Sequence, residues 1–441
     1  MHVFVLMATL LSFSDVVADG VPTRITISDD APSSDKFAAS ELLSYLTQAC
    51  PELHFTTGPP GTQAGSEIIV GSSAALALGV PAATLTGLGN ESSYLGYFTP
   101  PLASSVVLSG GVGSTRGTLY AVYSMLEDVV GFDFLAHDET TPPPNGCPAF
   151  VPHFEIKQSP AFEYRDNNQN QPTTQLDWTG RVRYNGRGIA PQHGGHVQYA
   201  PPGFVHTSYG LLTYPAEAST APPADLYRSN PEWFWPRGAS GATAYGQLCW
   251  SNASLVAFVT KQARAILRAS PDASILSISQ NDNGAQCEDA MEAAVNEREG
   301  SPIGALLNAV NAIADELADE FPHVAFDTLA YQWTRPAPTS GLRPRPNVII
   351  RLCTIECDFA HPLTHEHNAP FQKDMIDWAQ ISNRTYIWDY VTNFAHYVSP
   401  FPNWRASHTA APCDAPCAAP CVAPCATFCA TPCAPPAPAT A

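Results

Sequence analysis

The chain has 441 residues, enough for two or three domains with a sizeable core. With 21 Lys and Arg against 40 Asp and Glu it carries a formal charge of −19. That balance argues against nucleic acid and anionic membrane surfaces as partners. Only 14% of residues are charged while prolines number 42, a pattern closer to a loop-rich secreted enzyme than to a cytosolic one.

Val3–Phe13 is an apolar run of signal-peptide length, and Val16-Val17-Ala18 offers a cut after Ala18. The sequence thus predicts a signal peptide over 1–18 and a secreted protein, although only His2 could make the leading segment positive. No later run has the ~20 apolar residues a membrane span needs. Sequons at Asn90, Asn252 and Asn383 fit a secretory route, and so do the body cysteines Cys50, Cys147, Cys249, Cys287, Cys353 and Cys357 as disulfide formers. Spacing leaves their pairing open.

In chain order, Arg24–Ser28 reads as a strand. Ser33 or Ser34 then caps a helix through Ala49 whose Phe37, Leu42, Leu43 and Leu46 share a face. Ser66–Gly71 is a strand, and Tyr94–Thr99 with Ser104–Ser109 forms a hairpin. A second helix over Arg116–Val130 ends at Gly131. This predicts a small α+β domain over 19–150, followed by a Pro-rich linker, Thr141–Pro152.

Phe154-Glu155-Ile156 and Phe162–Asn168 read as the opening of the next domain, over 154–404. Trp178–Gly188 and Gly203–Leu212 are further strand expectations. Between them, Gln192–His196 is a glycine-loosened loop bearing His193 and His196, and Asn230–Trp235 gathers three aromatics. Helices are expected over Leu255–Ala269 (capped by Ser251 or Asn252), Ile303–Phe321 and Pro370–Ile381. Four apolar runs with polar ends alternate with these helices: Ala273–Ser279 into Gln280-Asn281-Asp282-Asn283-Gly284, Val324–Trp333, Asn347–Glu356 and Arg384–Asn393. Strand, helix, strand at this spacing means βα units on a parallel sheet, with functional groups at the strand C-termini. About seven barrel strands are countable by Asn393, so the expected fold is α/β, a (β/α)8-type TIM barrel that lacks its last part. Residues 405–441 form an Ala/Pro/Cys-rich low-complexity tail with a cysteine every fourth residue from Cys413 to Cys433, where the prolines forbid a regular helix.

Two sets of residues resemble known families. Arg116-Gly-Thr-Leu-Tyr120-Ala-Val-Tyr123, with Leu126-Glu127-Asp128 and Gly131, resembles a helix of the domain that precedes the barrel in α-glucuronidases and family 20 β-hexosaminidases. Asn230-Pro-Glu-Trp-Phe234, Ser279–Asn283, Thr328–Gln332, Arg343–Val348, Arg351–Cys357 and Tyr386–Tyr390 resemble the core of a domain-of-unknown-function family of glycoside-hydrolase-like barrel proteins. The resemblance covers roughly residues 24–404. It implies a hexosaminidase-domain-2-like front domain, a glycosidase-type barrel and a polysaccharide or oligosaccharide substrate. The chain departs from the pattern by stopping near Pro400–Asn403, and by keeping only Cys287 of the cysteines expected after Asn281-Asp282, with Met291 where another is expected.

Glycoside hydrolysis needs two carboxyl groups about the scissile bond, one a proton donor. Asp282 is the first candidate, because it follows a strongly apolar strand and has Asn281 beside it. Glu356 follows, then Asp389, with Asp166 behind. Each could instead cap a strand end or pair with Arg165 or Arg351. Sugar faces stack on aromatics, which nominates Tyr331, Trp333, Trp388 and Tyr390, and Asn281, Asn393 and His193 are candidate hydroxyl partners. Arg351 suits a uronic acid, or else an internal ion pair. Cys353-x3-Cys357-x3-His361 converges poorly on a tetrahedral metal, so no metal and no cofactor are expected. The function expected is hydrolysis of O-glycosidic bonds in a polysaccharide containing uronic acids or amino sugars. The rivals are a carbohydrate-binding protein without turnover and an inactive truncated product.

Overall fold

A computed structural model describes residues 23–61, 67–98, 105–148, 155–167, 176–215, 222–236 and 246–390. The chain divides into two compact units, 1–197 and 198–441. The signal segment, the tail, and Asn393 with the stretch around it lie outside the described residues.

The first unit is a six-stranded sheet in the order β2-β1-β3-β5-β4-β8. Its strands are β1 Arg24–Ile27, β2 Thr56–Gly58, β3 Glu67–Val70, β4 Ser93–Phe98, β5 Ser105–Gly110 and β8 Glu155–Gln158. β2, β1, β3 and β5 run parallel; β4 is antiparallel to β5 and β8 to β4. Side chains alternate across the sheet with period two. Ile68, Val70, Val106 and Leu108 pack on helices α1 (Ser33–Ala49) and α4 (Gly117–Ser124). Ile69 and Val107 face the other way, onto Ala74 and Ala75 of α2 (Ser72–Ala77) and Leu85 of α3 (Ala82–Leu85). The expected hairpin is thus present, and so is the second helix, which runs on from α4 as a π-turn Met125–Val130 to Gly131 at φ 98°. The expected serine cap is not: Pro32 holds the cap position of α1 without a side-chain hydrogen bond. A small ribbon, β6 Asp133–Ala136 with β7 Glu139–Thr141, follows, and Cys50 is bonded to Cys147.

Residues 155–167 depart from the expectation. Glu155–Gln158 completes the first sheet as β8. Phe162–Asn167 is no strand, because its polar groups are taken up by side chains elsewhere in the first unit rather than by a ladder. Arg165 pairs with Glu91 at 2.7 Å and donates to the Tyr120 hydroxyl, its backbone N–H donates to Asn185 Oδ1, and Asp166 accepts from Tyr164 and Arg187. Trp178–Gly188 is likewise not a strand: Leu176–Arg181 is helix α5, and turns follow it.

The second unit is built on a four-stranded parallel sheet, β11 Ile275–Ser277, β12 Ala325–Ala330, β13 Val348–Cys353 and β14 Thr385–Trp388, in that order. β12 and β13 are buried along their whole length, as expected for strands covered on both faces. Even-numbered residues (Leu276, Ile278, Phe326, Ala330, Val348, Ile350, Leu352) pack under α8 (Ala253–Ala269), α10 (Gly304–Leu317) and α11 (Ala369–Ile381). Helix α10 turns Leu306, Leu307, Val310, Ile313, Ala314 and Leu317 into this core, a three–four spacing. Asn252 caps α8 through Ser254 N and Leu255 N. Two short helices, α6 Ser208–Thr213 and α7 Ala224–Ser229, a two-residue ribbon of β9 Phe234–Trp235 with β10 Gln247–Leu248, and α9 Ala290–Glu299 complete it.

Gly203–Leu212, expected as a strand, ends in α6 instead. Its hydroxyls cap the sheet edge rather than extend the ladder: Thr207 Oγ1 donates to the Ser277 carbonyl at 2.8 Å and Ser208 Oγ to the Ser279 carbonyl at 2.6 Å. Further along, Ala200 N–H donates to Ile275 O and Ser274 N–H to Gln198 O, so the open edge of β11 is covered. Among the described residues the second unit therefore holds four parallel strands of the barrel pattern, fewer than the sequence count.

Candidate functional site at the strand ends

The odd-numbered residues of β12 and β13, and the even-numbered ones of β14, share the face opposite the helices. Asp327, Leu329 and Tyr331 come from the β12 line, Arg351 and Cys353 from β13, and Tyr386 and Trp388 from β14. Deep on this face, Arg351 Nη2 and Nε reach Asp327 Oδ2 at 2.9 and 3.2 Å, and Tyr199 O–H donates to the same oxygen at 3.0 Å. The guanidinium also lies over the Tyr199, Phe204 and Tyr386 rings. Arg351 and Asp327 are 4% and 1% exposed, so Arg351 is committed to an internal ion pair.

Nearer the C-terminal ends of the strands the face becomes aromatic and opens to water. Phe204, Trp388 and Tyr390 form a run of rings: Phe204 stacks on Trp388 at 5.5 Å, and Trp388 on Tyr390 at 5.6 Å and 10°. Tyr331 O–H donates to Asp282 Oδ1 at 3.1 Å and accepts from Gln332 Nε2. Burial and the adjoining Asp282 charge both push the Tyr331 hydroxyl well above its ordinary range. Burial chiefly does the same for Tyr390, which is also hydrogen-bonded to Tyr331. Both phenols therefore stay protonated and serve as donors. His206 closes the cluster. It sits at φ 52°, donates Nδ1–H to the Gln280 carbonyl at 2.9 Å, and so leaves Nε2 facing Asp282 Oδ1 at 3.9 Å. A non-glycine residue in the left-handed region is a fixed, uncommon conformation.

The turn that carries Asp282 is held from below. Gln280 is buried, donating to the Tyr331 carbonyl and accepting from Thr334. Asn281 is 2% exposed, with Nδ2 on the Gly246 carbonyl at 2.7 Å and its own N–H on Gln247 Oε1. Cys249 is bonded to Cys287 just beyond. Asp282 alone of this turn projects an exposed carboxylate, 54% accessible. Trp333 Nε1 donates to the Asn283 carbonyl at 3.3 Å. A cavity of about 700 Å3 is lined by Trp235, Gly284, Gln286, Glu288 and Asn296 among others; Asp282 and the ring stack are not among its walls.

The other nominated residues fall in different settings. Glu356 is paired with Arg335 Nη1 at 2.7 Å, and Arg335 also holds Asp374 at 2.6 Å. Asp389 Oδ1 accepts from Thr354 Oγ1 at 3.1 Å. His193 belongs to the first unit, where it is buried edge-on against Phe37 and 3.6 Å from Asp177; burial lowers its pKa. His196 Nδ1 is bonded to the Ile189 carbonyl. Cys353 and Cys357 are free thiols, and burial holds Cys357 up at about 12. Past them, Asp358 Oδ2 accepts from His361 Nδ1 at 2.8 Å and His367 Nδ1 at 3.0 Å. Burial works against its charge, but the bonds from His367 and His361 outweigh this and hold the carboxyl at about 2. Sequence reasoning missed His206, Phe204 and the His361-x3-His365-x-His367 set; only the last had a visible signal, its spacing.

Residues 135–410 match the family described as a domain of unknown function, DUF4838. The chain belongs to the DUF4838 family. No curated protein matches it. Solved structures similar to this DUF4838 chain are glycoside hydrolases. One is a family GH115 4-O-methyl-alpha-glucuronidase with specificity for decorated arabinogalactans, at 13% identity and TM-score 0.43, over 84% of this chain and 54% of that one. Another is a beta-N-acetylhexosaminidase from Bacteroides fragilis NCTC 9343, at 12% identity and TM-score 0.42, over 86% of this chain and 74% of that one. A third, a family 89 glycoside hydrolase from Clostridium perfringens, has 9% identity and TM-score 0.34, over 82% and 43%. The DUF4838 chain thus spans about half the length of the first of these.

Proposed function

We propose that the strand-end cluster binds a saccharide and hydrolyses an O-glycosidic bond, with Asp282 as the acid/base carboxylate. The observation that carries this is the pairing of an exposed carboxylate, aimed by the Tyr331 hydroxyl, with the ring run Phe204–Trp388–Tyr390 on the same face. Sugar CH faces stack on such rings, and a carboxylate beside them reaches the glycosidic oxygen. His206 Nε2 and Gln332 are further polar groups at the rim. Bound saccharide would shield Asp282 from water, which proton donation favours. With Arg351 tied to Asp327, Tyr331, Gln332 and His206 are polar groups among the described residues that can orient an acidic or amino sugar.

One observation favours a second reading, saccharide binding without turnover. Glu356, the second carboxylate nominated, is engaged by Arg335. Asp389, at the end of β14, or a group on the substrate is then the candidate partner of Asp282. A screen of aryl glycosides and glucuronides with the full chain separates these. Turnover that falls in Asp282→Asn and in Asp389→Asn supports hydrolysis. Saccharide binding that quenches tryptophan fluorescence, without turnover, supports the second reading.

The two disulfides support residence in an oxidising compartment, in keeping with a secreted protein.

A further inference from the structure

The loop from β13 to α11 carries four side chains that glycoside hydrolysis does not use. One ring nitrogen from each of His361, His365 and His367 lies within 4.8 Å of the other two. The rings sit with centroids 4.0, 4.6 and 5.1 Å apart. Asp358 Oδ2 receives Nδ1–H from both His361 and His367. A carboxylate oxygen accepts both bonds, so each ring holds a proton on Nδ1 and, as the neutral imidazole, offers Nε2 as its ligand atom. That arrangement, a carboxylate behind imidazoles, fixes tautomer and ring orientation in metal sites.

The loop is built before any ligand arrives. Asn368 is buried and clamps it from inside: Oδ1 accepts from Asp358 N at 2.7 Å, and Nδ2 donates to the carbonyls of Asp358 and Pro362 at 3.2 and 2.9 Å. Gln372 Nε2 holds the His365 carbonyl at 2.8 Å. The histidines thus project from a short closed loop, with His361 and His365 half-buried and His367 exposed.

We propose that His361, His365 and His367 form a binding site for a divalent transition-metal ion of the zinc class, with Asp358 orienting two of the three ligands. Three neutral imidazoles are a borderline donor set suited to zinc, nickel or copper and poor for calcium or magnesium. Three protein ligands leave a fourth tetrahedral position for water. Zinc–nitrogen bonds of about 2.1 Å place tetrahedral ligands about 3.4 Å apart, closer than the 4.8 Å within which one nitrogen of each ring lies, so the rings must close in to complete the set. His365 must change most. It accepts the His367 N–H on Nδ1 at 3.3 Å, and it frees Nε2 by moving its proton to Nδ1 and giving up that contact. The site is independent of the role given to Asp282, and it stands two residues beyond Glu356 on the same loop.

The test is titration of zinc chloride into the chelator-dialysed full chain, followed by calorimetry, with cobalt(II) absorption as a second readout. We expect one ion per chain, a visible tetrahedral cobalt band, and loss of both in His365→Ala/His367→Ala. Asp358→Asn should weaken affinity roughly 10- to 100-fold while keeping the stoichiometry. Far-ultraviolet circular dichroism checks that the variants stay folded. Binding no tighter in the wild type than in the double histidine variant would overturn the proposal, as would binding that survives that variant and is lost in Cys357→Ser.

Discussion

Asp35 offers a test of the first unit in which the sign and size of the effect follow from geometry. Its side chain is 2% exposed in the first turn of α1, with Gly71 packed so closely that a Cβ there would stand 2.4 Å from Oδ2. Burial raises the carboxyl from its ordinary 3.8 to about 6, against a smaller opposing bond from the Thr118 hydroxyl. The folded chain therefore binds this proton more tightly than the unfolded chain does. Stability from Asp35 is greatest below about pH 4 and is lost as pH rises to about 6. At about 1.36 kcal/mol per pKa unit the loss is about 3 kcal/mol. Asp35→Asn keeps an acceptor for Thr118 and removes the titration. Urea unfolding of both chains from pH 4 to 8 should show a stability difference that shifts by about 2.5 kcal/mol in favour of the variant as pH rises. The amide brings a constant offset from its own unpaired N–H, and a constant offset leaves the slope alone. A difference that is flat from pH 4 to 8, or that shifts in favour of wild type, would refute the reasoning.

Other predictions concern the second unit. Arg351→Met leaves Asp327 buried without its cation and should cost roughly 3–5 kcal/mol in urea unfolding, much of it regained in Arg351→Met/Asp327→Leu; a cost below about 1 kcal/mol would contradict the buried pair. Cys249→Ser/Cys287→Ser opens a link across 38 residues, and loop entropy puts the destabilisation at about 4 kcal/mol, read as a lower urea midpoint. Tyr331→Phe removes the hydroxyl that aims Asp282, so kcat/KM on any glycoside turned over should fall roughly 10- to 100-fold, and the lost bond to a charged group should cost no more than about 1.5–3 kcal/mol in stability.

Much of the fold is legible in the sequence, for a physical reason. Val324–Trp333 and Asn347–Glu356 are apolar for long enough to demand burial on both faces, and β12 and β13 lie within them. Helices α8, α10 and α11 fall within a few residues of their predicted bounds because three–four spacing and a cap at Asn252 mark them. Phe162–Asn168 and Gly203–Leu212 share the apolar-then-polar look of strand ends but lack alternation, and their side chains satisfy neighbours far along the chain instead. Of the site, Asp282, Tyr331 and Trp388 were legible as strand-end residues. Their assembly was not. Tyr331 meets Asp282 across 49 residues, His206 reaches it only through a left-handed backbone, and Arg351 proves internal because Asp327 lies diagonally across the neighbouring strand.

The central claim is that Asp282 acts on a glycosidic bond. The most direct measurement is kcat/KM of Asp282→Asn against wild type on the best aryl glycoside of the screen, with unfolding midpoints matched. The account predicts a loss of roughly 100-fold or more at unchanged stability, as expected for removal of a general acid or base. Equal turnover in the two chains would contradict it.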